Sequence, residues 1–223
     1  MATFFDFNGV LVDDEHLHFS CFNEVLSAYN IEISQRQYDE TLLGFDDRGV
    51  FDALLPSAER SLREATIASL IRTKAAVYMA RAAADLSFFA GAREALAAAA
   101  QRGPVVVVSG ALRAEIELAL SLLDASASVA HIVAAEDVHR CKPDPEGYLL
   151  ALGWLRATAP EVPRSAVLVI EDSLAGVDAA HAASLGVWAV AHSYPEEQLR
   201  AHHPKKIFAT LAELVGSLAT RSA

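Results

Sequence analysis

Cysteine is nearly absent. The chain has only Cys21 and Cys141 in 223 residues. They form no CxxC pair and no zinc-binding spacing, so they read as two unbridged thiols in a reducing compartment. Basic residues are scarce too: 18 Lys and Arg against 29 Asp and Glu leave a formal net charge of -11, with no basic block. That balance argues against non-specific nucleic-acid binding and against adhesion to an anionic membrane. Long apolar runs are missing, because charges recur throughout, and the N-terminus has no basic segment leading into an apolar one. No GxxxxGK[ST] loop is present, and no GxGxxG follows a strand-like run, which speaks against P-loop and dinucleotide binding. The expectation is a cytoplasmic protein, monomeric or weakly dimeric, with neither nucleic acid nor membrane as partner.

Apolar residues make up 53% of the chain, enough for a sizeable core. Four short runs read as buried parallel strands: Thr3–Phe7, Pro104–Ser109, Ala166–Asp172 and Gly186–Ala191. Weaker ones lie near His131 and Lys206. None alternates strictly between apolar and polar, as suits strands covered on both faces. Helical patterns separate them, at Ala92–Gln101, Ala111–Leu123, Pro145–Ala157 and Ser173–Gly186. Strand–helix alternation implies right-handed crossovers and a doubly wound, mostly parallel, Rossmann-like α/β sheet. The stretch after the first strand breaks this pattern. It reads as helices at His16–Tyr29, Gln35–Leu43, Arg48–Leu55 and Ala58–Ala84, with no convincing strand. The expected organisation is an α/β core of residues 1–12 and 86–223 with an inserted all-helical cap of residues 13–85.

Ligands in such sheets bind beyond the C-terminal ends of the strands. Read at those ends, the sequence offers Asp6, then Ser109-Gly110, then Glu171-Asp172, and Lys142 in the loop "RCKPDPEGY". Each type has a use in phosphoryl transfer. A carboxylate attacks phosphorus, and a hydroxyl with backbone N–H groups binds the equatorial oxygens. A lysine balances developing charge, and an acidic pair holds Mg²⁺. Singly, the acids also read as strand-end caps, Ser109 as a helix cap and Lys142 as a solvated loop residue.

In these stretches the chain resembles the haloacid dehalogenase superfamily, in its helical-cap branch of β-phosphoglucomutase-like phosphatases and mutases. "DFNGVLVDDEHLH", "VVVVSG", "CKPDPEGY" and "VLVIEDSLAGVDAAHAASLG" are similar to its four motifs, in order and at plausible spacing. The resemblance implies Asp6 as nucleophile and Asn8 as a metal ligand through its backbone carbonyl. It implies Asp172 as a direct metal ligand, Glu171 as a ligand directly or through water, Ser109 as phosphoryl holder and Lys142 as charge balancer. In the cap it implies His18, Gly44, Arg48 and Lys74 as substrate contacts; Arg48 and Lys74 would suit a substrate with two anionic groups.

The family usually has a second aspartate where this chain has Asn8, as the general acid and base. An amide cannot exchange that proton, and losing such help costs roughly 10²–10⁴ in rate. Three accounts stand side by side: another donor, with His18 or His16 as candidates; a substitution that traps the intermediate; or a slow protein that binds rather than turns over. Asn8-Gly9 is also a pair prone to deamidation. The resemblance implies a Mg²⁺-dependent phosphatase acting on a small phosphorylated metabolite such as a sugar phosphate, through an aspartyl phosphate on Asp6. A phosphosugar mutase and a catalytically weak metabolite-binding protein are the alternatives.

Overall fold

The computed structural model describes residues 1–55 and 60–219. The chain divides into two compact units: Met1–Asp13 with Ser87–Ala223, and Asp14–Leu86. It opens with β1 (Ala2–Phe5) and β2 (Val12–Asp13), then α1 (Glu15–Ser27), α2 (Gln35–Gln37), α3 (Asp47–Leu54) and α4 (Arg60–Asp85). It continues through β3 (Ser87–Phe88), α5 (Ala92–Ala100), β4 (Val105–Val108), α6 (Arg113–Leu122), β5 (His131–Val133) and α7 (Glu146–Thr158). It closes with β6 (Val167–Glu171), α8 (Leu174–Ala182), β7 (Gly186–Val190), α9 (Glu196–Ala201), β8 (Lys206–Phe208) and α10 (Leu211–Ala219).

The first unit is built on a six-stranded sheet in the order β5-β4-β1-β6-β7-β8, with every neighbouring pair parallel. β1 lies inside it because its residues are apolar on both faces: all of Ala2–Phe5 is buried, as are Val105–Val108 and Val167–Glu171. Side chains alternate across a strand. Phe4, Val106, Val108, Val167, Val169 and Val187 therefore share one face and pack against Tyr148, Ala151, Leu152 and Leu155 of α7 and Val177, Ala179 and Ala180 of α8. Each of the valine, leucine and phenylalanine side chains among them stabilises the fold by about 1.5–3 kcal/mol. The chain runs from β1 to β4 and β5 on one side and returns to β6, β7 and β8 on the other. The switch point lies between β1 and β6, so Asp6 and Asp172 emerge side by side.

A two-stranded antiparallel ribbon, absent from the sequence-based expectation, pairs Val12 with Phe88 and Asp13 with Ser87. Strands of two residues show no periodicity. In the second unit, Phe22, Val25 and Leu26 of α1, Val50 and Phe51 of α3, and Ile67 and Leu70 of α4 form a core with Ile33, Tyr38 and Leu42. The expected helix over Gln35–Leu43 is α2 followed by a π-helical turn at Tyr38–Leu42. The expected helix from Ala58 is seen from Arg60 onward, and Ala58 lies outside the described residues. No helix among the described residues is long and apolar enough to cross a membrane.

Candidate active site

Asp6 and Ser109 each stand one residue beyond their strand and still extend its ladder. Asp6 N–H donates to Ile170 O (3.0 Å) and Ser109 N–H to Val133 O (3.0 Å). Their side chains are thus fixed at the sheet's C-terminal edge. The loop after Asp6 is tight: Phe7 O accepts from the N–H groups of Val10, Leu11 and Val12 (3.3, 2.8 and 3.2 Å). Gly9, at φ 75°, donates to Val12 O (2.9 Å).

Three buried carboxylates meet here. Asp6, Glu171 and Asp172 each bring an oxygen within 4.8 Å of the others. The Lys142 ammonium joins two of them, donating to Asp6 Oδ1 and Glu171 Oε1 at 2.6 Å each and to Val108 O at 3.2 Å. Glu171 continues the register of Val167 and Val169 and so faces α7 and α8. Its oxygens are taken by the protein: Oε1 also accepts from Tyr148 OH (2.8 Å). Oε2 accepts from Asp172 N–H (3.1 Å), Ser173 N–H (3.2 Å) and Ser173 Oγ–H (3.1 Å). Ser173 in turn caps α8 by accepting from Gly176 N–H (3.0 Å). A Cβ at Gly176 would overlap the Glu171 carboxylate.

Asp172 is held differently. Ser193 Oγ–H donates to its Oδ2, and a Cβ at Gly9 would overlap that same oxygen. Oδ1 is buried with no hydrogen-bond partner among the described residues. Ser109 Oγ–H points at Asn8 Oδ1 at a long 3.4 Å and accepts from Ala111 N–H (3.1 Å).

These contacts set the electrostatics. Burial pushes the Asp6 carboxyl up; Lys142 pulls it down and Glu171 pushes it up again, leaving it at about 7. Burial, then Asp6 and Glu171, raise Asp172 well above the usual carboxylate range, against the Ser193 hydrogen bond and Lys142. For Lys142 burial acts downward, but Asp6 and Glu171 outweigh it and hold the ammonium above its ordinary range. Lys142 therefore stays charged, and the surplus lies with the carboxylates: three acids face one ammonium, which leaves two negative charges in excess once all three are ionised. A divalent cation fits that deficit, and the orphaned Asp172 Oδ1 is a ready hard-oxygen ligand for it.

His192 closes the back of the loop. Its Nδ1 lies 2.8 Å from Gly9 O, its Nε2 accepts from Leu211 N–H (3.3 Å), and its ring stacks on Phe89 with centroids 3.8 Å apart. One nitrogen donates and the other accepts, as a neutral ring requires, and burial lowers its pKa.

The remaining expected residues belong to the second unit. Lys74 is 0% exposed although it is a lysine. It shares the apolar stripe of α4 with Ile67, Leu70 and Tyr78, and its ammonium reaches Asp47 Oδ1 and His18 Nδ1 at 2.6 Å each. It also lies over the rings of Phe22 and Tyr78 at 5.0 and 5.3 Å. An ammonium only donates, so His18 accepts at Nδ1 and donates from Nε2 to Asp14 Oδ2 (3.1 Å). Tyr78 OH donates to the same oxygen. Both nitrogens of His18 are thus engaged. Asp47 Oδ2 has no hydrogen-bond partner among the described residues. Gly44, at φ 85°, and Arg48 are exposed around the start of α3, which Asp46 caps by accepting from Gly49 N–H (2.9 Å).

Asp6, Asn8, Ser109, Lys142, Glu171 and Asp172 thus come together in the first unit, with Gly110 next to Ser109. His18 and Lys74 come together in the second. Sequence reasoning missed Tyr148, Gly176, His192 and Ser193. Gly176, the third residue of a helix and four after an acidic pair, carried a signal: a glycine there marks a close approach. Ser193 carried none.

A parallel α/β sheet with carboxylates gathered at its switch point defines a doubly wound protein with an acidic site at the sheet's C-terminal edge. Residues 3–190 match the family of haloacid dehalogenase-like hydrolases. The chain belongs to that family; it is a phosphatase-type hydrolase and β-phosphoglucomutase-like in fold. It is 30% identical over 187 residues to validoxylamine A 7'-phosphate phosphatase of Streptomyces hygroscopicus subsp. limoneus, across 81% of each chain. It is 29% identical over 197 residues to the phosphorylated carbohydrates phosphatase of Thermotoga maritima, across 86% of each. Among solved structures it is similar to an Asp-to-Asn mutant of CbbY from Rhodobacter sphaeroides, in complex with xylulose-(1,5)bisphosphate. That likeness has a TM-score of 0.80 and 25% identity over 96% of this chain and 95% of the other.

Proposed function

We propose that this chain is a Mg²⁺-dependent phosphatase for a small phosphorylated metabolite of the sugar-phosphate kind, working through an aspartyl phosphate on Asp6. The observation that carries the reading is the buried Asp6–Glu171–Asp172 cluster with Lys142 across Asp6 and one Asp172 oxygen unpartnered. One relative named for phosphorylated carbohydrates and another named for validoxylamine A 7'-phosphate support the substrate class.

In this mechanism Lys142 holds Asp6 Oδ1 and keeps the carboxylate aimed. An Asp6 oxygen forms a bond to phosphorus while the bond from phosphorus to the leaving alcohol oxygen breaks. Ser109 Oγ–H and the Gly110 N–H hold the phosphoryl oxygens. Water then attacks phosphorus, inorganic phosphate leaves, and Asp6 is regenerated. Asp6, Asp172 Oδ1 and the Asn8 backbone carbonyl would hold Mg²⁺, which when bound supplies charge neutralisation at the phosphoryl oxygens. Glu171, with both oxygens occupied, we assign to holding Lys142 and the Asp172-Ser173 turn. The leaving oxygen must gain a proton and the water must lose one, and the Asn8 amide does neither. His18 would serve only by giving up its bond to Asp14 or to Lys74. Residues 13–85 we read as a cap that selects the substrate, with Arg48, Gly44, His18 and Lys74 as contacts.

Mg²⁺-dependent hydrolysis of a generic aryl phosphate, compared with Asn8→Asp, tests the reading. A gain of about 10² or more in Asn8→Asp marks a phosphatase scaffold without its acid–base group. Asn8 favours a second reading, a weakly catalytic metabolite binder; bound Mg²⁺ with no turnover in either form would select it.

A further inference from the structure

Asp172 presents its two oxygens unequally. Oδ2 accepts a hydrogen bond from Ser193 Oγ–H, in the loop after β7. Gly9 closes over the same oxygen: a Cβ there would overlap Oδ2 and lie 2.9 Å from Ser193 Oγ. Oδ1 has no partner among the described residues. We propose that Ser193 is a positioning residue that reserves Asp172 Oδ1 for a small divalent cation and so selects Mg²⁺ over Ca²⁺. The inference rests on the Mg²⁺ reading above.

The argument is geometric. Mg²⁺ takes one carboxylate oxygen at short distance in a strict octahedron, whereas Ca²⁺ is larger and often takes both oxygens of one carboxylate. With Oδ2 engaged by a hydroxyl and crowded by the Gly9 backbone, Asp172 offers one oxygen. Two-oxygen binding would require the Ser193 bond to break and the carboxylate to turn. Removing the hydroxyl frees that rotation. Mg²⁺ then loses a pre-aimed ligand, while Ca²⁺ gains a second oxygen. Ser193 itself touches only Asp172 Oδ2 in this account and no reacting atom.

The test is calorimetric titration of the full chain with Mg²⁺ and, separately, with Ca²⁺, in the same buffer at the same pH. Wild type, Ser193→Ala and Ser193→Thr are compared, and thermal denaturation without metal shows that each is folded. Ser193→Ala is expected to lose about 10-fold in Mg²⁺ affinity and to hold or gain in Ca²⁺ affinity. Ser193→Thr, which keeps the hydroxyl, is expected to retain the wild-type ratio. If the alanine variant does not fold, Ser193→Cys, of similar shape and with a weaker donor, is expected to shift the ratio the same way. An equal loss for both metals, or a threonine variant as poor as alanine, overturns the inference while leaving the Mg²⁺ reading intact. A wild-type chain that binds neither metal overturns both.

Discussion

An amide at position 8 donates and accepts hydrogen bonds but neither takes up nor releases a proton near neutral pH. In the proposed mechanism, attack by Asp6 on a substrate with a good leaving group does not need that proton; resolution by water does. The phosphorylated form of Asp6 is therefore expected to accumulate on mixing with an aryl phosphate and Mg²⁺, and to decay about 10² or more times faster in Asn8→Asp. Intact-protein mass spectrometry against time reads this directly, and equal decay would assign the proton to another group. The next residue bears a different load. Gly9 sits at φ 75°, where an L side chain costs about 1–2 kcal/mol, and its Cβ would displace the Asp172 carboxylate. Gly9→Ala is expected to lower stability by at least that amount and to lose most of the Mg²⁺-induced rise in Tm. The same backbone bears on the Asn8-Gly9 pair. Deamidation needs Gly9 N to swing onto the Asn8 side chain, and that N–H is tied to Val12 O at 2.9 Å. Peptide mass spectrometry of aged folded protein should show intact Asn8, and the unfolded chain should show conversion.

Strands in this chain were legible because they are buried on both faces. "VVVV" at Val105–Val108 and "VLVI" at residues 167–170 have no polar side to blur them. Their ends were legible for the same reason: a charge directly after such a run stands at the sheet edge, as Asp6 and Asp172 do. The two-residue ribbon of β2 and β3 and the π-helical turn at Tyr38–Leu42 were not, because neither repeats long enough to show a period. Tyr148 was hidden by good company. It falls on the apolar stripe of α7 with Ala151, Leu152 and Leu155 and reads as core. Lys74 is the reverse case, a charge at a core position of α4, and its partners Asp47 and His18, with the rings of Phe22 and Tyr78, explain how it stays there. The hydroxyl of Tyr148 is what links α7 to the end of β6. Tyr148→Phe leaves the ring and removes one bond to a buried carboxylate. A destabilisation of about 1.5–3 kcal/mol, as for hydrogen bonds to charged groups, is expected in urea denaturation.

Taken over the whole first unit, the charge surplus at the switch point would, on the proposed Mg²⁺ reading, make folding and metal binding one equilibrium. Asp6 keeps its proton in the folded chain up to about pH 7, against an ordinary value of 3.8. Between those values the native state binds more protons than the unfolded one, so stability falls as pH rises through the window. Asp172, also raised, pushes in the same direction. A bound divalent cation displaces those protons, so its stabilising effect must grow over the same range. The metal-free chain is therefore expected to have its higher Tm near pH 5 and a lower one near pH 8, with Mg²⁺ adding little at the first and most at the second. At about 100 times its dissociation constant, a ligand specific for the folded state adds ~2.7 kcal/mol. Asp6→Asn removes the titrating group while keeping an acceptor for Lys142. It should flatten the fall between pH 4 and 7 and blunt the Mg²⁺ response at pH 8. Scanning calorimetry of both chains across this range, with and without Mg²⁺, decides the matter. A Mg²⁺ shift of equal size at about pH 5 and pH 8 would detach the metal from these carboxylates.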